Sequence, residues 1–346
     1  MSSIWASRTP RSSKSRRVAV MISASRTRRR AAVPLAAVVP RVGSVLMAAS
    51  LGSDALVAGG DPVWCDARMA ALGLRRLLLA LLPALLGALL VPLSSASAAA
   101  PDSRFTGTAR LPGCSGAVVR WASAIDSDPA VVITNGHCVR SPFLGARETL
   151  VDVKQFKRIE LLDGAGKVAT TVRGTRLAYA TMYRTDLAVY ELRESYADLA
   201  AAGVIPLTLA TRGPARGDRI RIPSGYWVEQ RACTTTGTAH RLHERAWDWQ
   251  RSIRLPARDG CRIRGGYSGS PIVSRDTGEV VGIANTGYVG GRRCIDSACE
   301  ESKRGRVVMK RDMNYGQQTW LLTTCVGADR RFDLSVAGCR LPRPRS

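Results

Sequence analysis

Gly266-Tyr267-Ser268-Gly269-Ser270-Pro271 is the stretch on which the reading of this chain turns. Its glycines allow a tight turn that exposes one serine hydroxyl and aims backbone N–H groups at the same point. A serine hydroxyl is a weak nucleophile by itself and needs a base to take its proton. The chain has three histidines, and one stands in Thr134-Asn135-Gly136-His137-Cys138. The imidazole in turn needs a carboxylate to hold its tautomer. Thr185-Asp186-Leu187-Ala188-Val189-Tyr190 offers one ahead of an apolar run. His137, Asp186 and Ser268 follow in that order, 49 and then 82 residues apart. Each has a plainer reading alone: a turn histidine, an Asp opening a strand, a turn serine. Their joint order and context single them out.

On these segments the chain resembles the chymotrypsin-like (trypsin-like) serine peptidases, especially their secreted bacterial branch. The His segment is similar to the family's T-A-A-H-C box, the Asp segment to its D-hydrophobic-A run, and the Ser segment to its G-D-S-G-G-P box. The resemblance extends over roughly residues 105 to 320. It implies an all-β fold of two packed six-stranded antiparallel β-barrels with the active site in the cleft between them. His137 and Asp186 would come from the first lobe and Ser268 from the second. Ser268 would attack a scissile carbonyl, His137 would carry its proton to the leaving amine, and Asp186 would orient His137. Backbone N–H groups of Gly266 and Ser268 would receive the oxyanion. Asn285-Thr286-Gly287 would pair with extended substrate and line one side of the primary pocket. The implied activity is a serine endopeptidase working through an acyl-enzyme, without cofactor or metal, on protein or peptide substrates.

Arg262-Ile263-Arg264 would stand near another pocket wall. An arginine there favours acidic side chains, as in the glutamyl endopeptidases; the plainer reading leaves both arginines in solvent. No acid occupies that segment, which disfavours cleavage after Lys or Arg. One departure from the family is Tyr267, where the box carries an Asp. In the zymogens of the family that Asp pairs with a newly cut N-terminus. Tyr267 cannot, so activation by N-terminal insertion is not expected and the oxyanion loop needs another prop. This departure also keeps open an alternative from a different class: a catalytically inactive homologue serving as an extracellular binding protein.

Not all 346 residues belong to such a domain. Met69 opens a secretory signal, with Arg75 and Arg76 in its positive region, an apolar run Leu77 to Leu90, and Ala96-Ser97-Ala98 as a small-x-small cleavage site. The expected organisation is a non-native extension over 1–68 from a mis-assigned start, a signal peptide over 69–98, and the peptidase domain over 99–346. Within that domain the first lobe spans about 105–199, the second about 206–322, and a tail 325–346. A rival reading keeps 1–98 as a membrane anchor.

Residues 99–346 carry 38 Lys+Arg against 24 Asp+Glu, a formal +14, and 33 of those cations are Arg. Such charge favours contact with an anionic cell envelope. The scatter of the cations, without interleaved aromatics, argues against nucleic acid. A secreted, extracellular monomer is the expectation.

Eight of nine cysteines follow the signal, an even set suited to an oxidising compartment. Eight allow 105 pairings. The family resemblance implies Cys114 with Cys138. Local spacing suggests Cys294 with Cys299 and Cys325 with Cys339, which leaves Cys233 with Cys261.

Short β-branched runs separated by turn residues fill the domain. Arg158 to Leu162 and Lys167 to Val172 read as a hairpin, Gln250 to Leu255 as one strand, Ala200 to Ile205 as the lobe connection, and Met313 to Leu322 as a short terminal helix. His240 and His243 read as a polar surface loop rather than a metal site. Trp247 and Trp249 flank Asp248, which on a strand turns both rings to one face for packing.

Overall fold

A computed structural model describes residues 103–258 and 260–344. The expected extension, signal peptide and Cys65 lie outside the described residues. The chain is mostly strand, because its β-branched runs are too short for helices and alternate with Gly, Asp and Pro turns. Seven strands make the first sheet: β1 Thr108–Leu111, β2 Cys114–Arg120, β3 Pro129–Thr134, β4 Thr149–Leu162, β5 Val168–Thr181, β6 Leu187–Ser195 and β7 Leu207–Thr208. They run β1-β4-β5-β6-β3-β2-β7, and β2 also pairs with β1, so six strands close into a ring. Closure removes the unpaired edges that an open sheet would present.

The second sheet contains β8 Arg219–Ser224, β9 Glu229–Thr234, β12 Ile253–Pro256, β13 Pro271–Ser274, β14 Val280–Gly287 and β17 Met313–Gln318. Its order is β12-β17-β14-β13-β8-β9. Thr236 N–H donates to Arg254 O at 3.2 Å and Arg254 N–H to Gly237 O at 2.8 Å, which stitches the β9 end to β12. A small third sheet, β11 Trp247–Gln250, β10 Arg241–Glu244, β15 Cys299–Glu301 and β16 Val307–Val308, is inserted beside the second barrel.

Inward residues such as Val118, Ile133, Ile159 and Val189 fill the first barrel, and Ile220, Ile222, Ile272 and Leu255 the second. The first apolar cluster continues into the second lobe through Val273, Val280 and Ile283, so the lobes share packed surface. This is the two-barrel architecture expected. All four cysteine pairs also form: Cys114–Cys138, Cys233–Cys261, Cys294–Cys299 and Cys325–Cys339.

Four local expectations are corrected. Met313 to Leu322 is not one helix: Met313–Gln318 is strand β17 and only Trp320–Thr323 is helical. β17 lies between β12 and β14 with all six residues buried, and pairing on both sides overrides its weak local preference. Gln250 to Leu255 is broken at Arg251, whose φ of 52° ends β11 and restarts the chain as β12. The hairpin arms are much longer, 14 residues each. The lobe connection starts inside a helix, Tyr196–Ala201, which Ser195 and Asp198 open as a reciprocal capping box.

The tail returns to the first barrel. Trp121 Nε1–H donates to Arg330 O at 3.0 Å, Arg330 forks onto Asp128 at 2.9 Å, and Phe332 stacks at 5.6 Å from Tyr179. Leu334 and Leu341 are buried with it. Among the described residues no helix is long and apolar enough to cross a membrane.

Candidate active site

His137 sits in a single 3₁₀ turn, Gly136–Cys138, just after β3. Asp186 stands one residue before β6, the neighbour of β3. Antiparallel pairing of these strands brings the two together across 49 residues. Asp186 Oδ2 lies 2.8 Å from His137 Nδ1, and Asp186 Oδ1 accepts the His137 backbone N–H at 3.1 Å. A carboxylate only accepts, so Nδ1 carries the proton and Nε2 is left bare as the basic atom. Asp186 is fully buried and His137 nearly so. Asn135 Nδ2–H donates to Asp186 O at 2.9 Å. A Cβ at Gly136 would lie 2.1 Å from Thr181 O, so only glycine lets the turn approach so closely. Phe143 lies edge-on to His137 at 5.6 Å, and Trp247 stands 6.0 Å beyond Phe143.

Ser268 comes from the turn before β13 in the second barrel. Its backbone carbonyl accepts Ser115 N–H at 2.8 Å, while Thr134 Oγ1–H donates to Ser115 O at 2.7 Å. Ser115 follows Cys114, which is bonded to Cys138 beside the histidine. Gly269, with φ 82°, fits only because its missing Cβ would overlap Ser115 O and Thr134 Oγ1 at 2.2 and 2.3 Å. Ser115 and Thr134 thus pack against the serine turn, and the Cys114–Cys138 bond and the short run from Thr134 to His137 join them to the histidine turn. Among the described residues the Ser268 hydroxyl makes no hydrogen bond, so a His137–Ser268 bond is not one of the contacts present. Such bonds often tighten only once substrate is bound.

Gly266 takes φ 91°. Neither its N–H nor that of Ser268 has a partner among the described residues, whereas the intervening Tyr267 N–H donates to Arg264 O at 3.0 Å. Tyr267 is fully buried, and its hydroxyl meets Glu229 Oε2 at 3.3 Å. Burial pushes the Tyr267 phenol up to about 12.

The serine turn is sewn to β14, with Gly269 N–H donating to Ala284 O at 2.9 Å and Ala284 N–H to Ser270 O at 2.8 Å. Asn285, Thr286 and Gly287 continue that strand, all buried. Both amide atoms of Asn285 lack partners among the described residues. Thr286 Oγ1–H donates to Glu244 Oε2 at 2.5 Å. Burial, with Asp186 nearby, pushes the Glu244 carboxyl up to about 8.

Arg262 and Arg264 are exposed beside a groove of about 520 Å³. Arg258 and Arg311 line it too, with one carboxylate, Asp312. Neither His137 nor Ser268 lines this groove. Arg264 is engaged with Glu229 at 2.7 Å.

His243 lies on strand β10, not in a loop, and its Nε2 contacts Glu301 on β15. Trp247 and Trp249 do share a packing face: their indole N–H groups donate to Leu144 O at 2.9 Å and Met182 O at 3.1 Å. Sequence reasoning missed Ser115, Phe143 and Glu244. None carries a motif signal, because each matters only through neighbours distant in the chain.

The described residues thus form two β-barrels, with a buried His–Asp pair on the first and the serine turn on the second. Residues 114–283 match the family model described as a trypsin-like peptidase domain. No curated protein matches the sequence. Among solved structures it is similar to a Glu endopeptidase, at 16% identity over 63% of this chain and 88% of that one, with a TM-score of 0.36. It is also similar to the MamO protease domain of Magnetospirillum magneticum, at 14% identity over 62% and 93%, with a TM-score of 0.36. A thermostable serine protease from an extremophilic microorganism is 17% identical over 63% and 92%, with a TM-score of 0.39.

Proposed function

We propose that the chain is a secreted serine endopeptidase in which Ser268, His137 and Asp186 form the catalytic triad. The observation that carries this reading is the 2.8 Å contact between His137 Nδ1 and Asp186 Oδ2, which leaves Nε2 as the ring atom available to act as base. His137 Nε2 takes the Ser268 proton as Oγ attacks the carbonyl carbon. The oxyanion that forms is received by Gly266 and Ser268 N–H. His137 then returns the proton to the leaving amine, and water, activated the same way, hydrolyses the acyl-enzyme. Asn285 to Gly287 supply the strand along which extended substrate lies.

Export suits four disulfides, which persist in oxidising compartments. In this reading residues 1–98 are absent from the mature protein. The basic balance suits residence near an anionic envelope.

Intact mass of the exported protein, before and after a fluorophosphonate probe, tests this directly. One adduct on the parent and none on Ser268→Ala is the expected result. Absence of an adduct on folded, oxidised parent would overturn the reading in favour of a binding homologue.

A further inference from the structure

The Gly265–Gly266 peptide is held from outside the turn it belongs to. Trp227 Nε1–H donates to Gly265 O at 2.6 Å. In a trans peptide the carbonyl and the following N–H point in opposite directions. A carbonyl fixed towards Trp227 therefore turns the Gly266 N–H away from it. Ser115 Oγ–H holds the next carbonyl, Gly266 O, at 2.8 Å. Both peptides that decide where the Gly266 N–H points are thus anchored by side chains.

Trp227 is itself braced. It lies in the turn joining β8 to β9, where its backbone N–H donates to Ser224 Oγ at 3.3 Å. The Arg264 guanidinium sits 4.1 Å over its ring and also bonds Glu229 Oε1 at 2.7 Å. Glu229 Oε2 meets the Tyr267 hydroxyl at 3.3 Å and Arg231 at 3.0 Å. Burial opposes it, but the Arg264 bond and the charges of Arg264 and Arg231 hold the Glu229 carboxyl below the usual range. A Cβ at Gly266 would meet Tyr226 Cδ1 at 2.5 Å and Trp227 Nε1 at 2.8 Å, so the turn lies flat against this pair.

We infer that Trp227 is a positioning residue of the active site: its indole N–H fixes the Gly265–Gly266 peptide so that the Gly266 N–H is presented to the reaction oxyanion. Arg264, Glu229 and the Tyr267 hydroxyl hold Trp227 and the turn in register. This network props the oxyanion turn without a carboxylate beside Ser268. The inference rests on the proposed peptidase reading.

Two replacements isolate the N–H. Trp227→Phe keeps an aromatic ring beneath Arg264. Benzothienylalanine introduced at 227 keeps the bicyclic shape and lacks only the donor. Each would be compared with the parent on a chromogenic peptide ester and on a peptide boronate. A single oxyanion donor is worth on the order of 10²–10³ in kcat, and a misaimed one loses part of that. The expected result is a fall of about 10–100-fold in kcat, KM within about 2-fold of parent, and boronate affinity weakened by a similar factor as kcat. A folded benzothienylalanine protein with parental kcat would overturn the inference, as would a change confined to KM. If Trp227→Phe fails to fold, the benzothienylalanine protein decides alone. A parent that neither hydrolyses the ester nor reacts with fluorophosphonate would overturn the peptidase reading itself, a result distinct from an active parent matched by its variants.

Discussion

Thr286 Oγ1 donates to Glu244 Oε2 at 2.5 Å, wholly inside the protein, on the strand proposed to carry substrate. Burial is the main reason that carboxyl rises from 4.5 to about 8. The folded protein therefore keeps a proton that the unfolded chain loses between those values, and native stability falls as pH rises through that window. The size is on the order of a few kcal/mol, at about 1.4 kcal/mol per unit.

Glu244→Gln retains an acceptor for Thr286 and removes the titration. Near pH 4 it should match the parent, and near pH 9 it should be more stable by about 2 kcal/mol or more. Urea unfolding at pH 4, 7 and 9 measures this. Parallel curves for the two proteins across that range would refute it.

Asp186 accepts both the Nδ1 proton and the backbone N–H of His137. Asp186→Asn preserves shape but presents an amide that can donate to Nδ1, which favours the tautomer with the proton on Nε2. A loss of about 10⁴ in kcat is expected, with a folded protein and substrate affinity little changed. Steady-state kinetics on a peptide ester, with circular dichroism as folding control, reads the outcome.

Two glycines with similar φ should behave differently. Gly269, at φ 82°, has Ser115 O and Thr134 Oγ1 where a Cβ would go, while Gly278, at φ 75°, faces open space. Gly278→Ala should cost about 1 kcal/mol and leave hydrolysis intact. Gly269→Ala adds overlap with rigid backbone and should cost several-fold more, on the order of 3 kcal/mol, together with most activity. Thermal melts and initial rates on both variants separate the two effects.

Phe332, 5% exposed, ties the tail to Tyr179 on the first barrel. Phe332→Ala should destabilise the whole domain by about 3 kcal/mol, as a buried aromatic deletion does. A single cooperative transition at lower denaturant would place the tail in the folding unit. An unchanged midpoint would make it a loose appendage.

Much of the fold was legible because strand runs, turn residues and motif order are local signals. The barrel strands around Ile133, Leu187 and Ile283 carry β-branched residues bounded by turn chemistry, and those survived into the structure. Met313–Gln318 did not announce itself, because Met-Asn-Tyr-Gly-Gln-Gln has no strand period and becomes a strand only between two others. The tail was equally opaque: Phe332, Leu334 and Leu341 are too sparse for a periodic pattern and find their apolar surface on the other lobe.

The candidate site divides the same way. Residue types, order and the Tyr267 departure stood in the sequence, since nucleophile, base and carboxylate are fixed by chemistry and bracketed by glycine turns. The approach of Asp186 to His137, the Ser115 and Thr134 platform, the buried Glu244, and the grip of Trp227 on Gly265 were decided by tertiary structure. Each joins residues more than a dozen positions apart. Such contacts depend on which strands lie side by side, and only closure of the two barrels determines that.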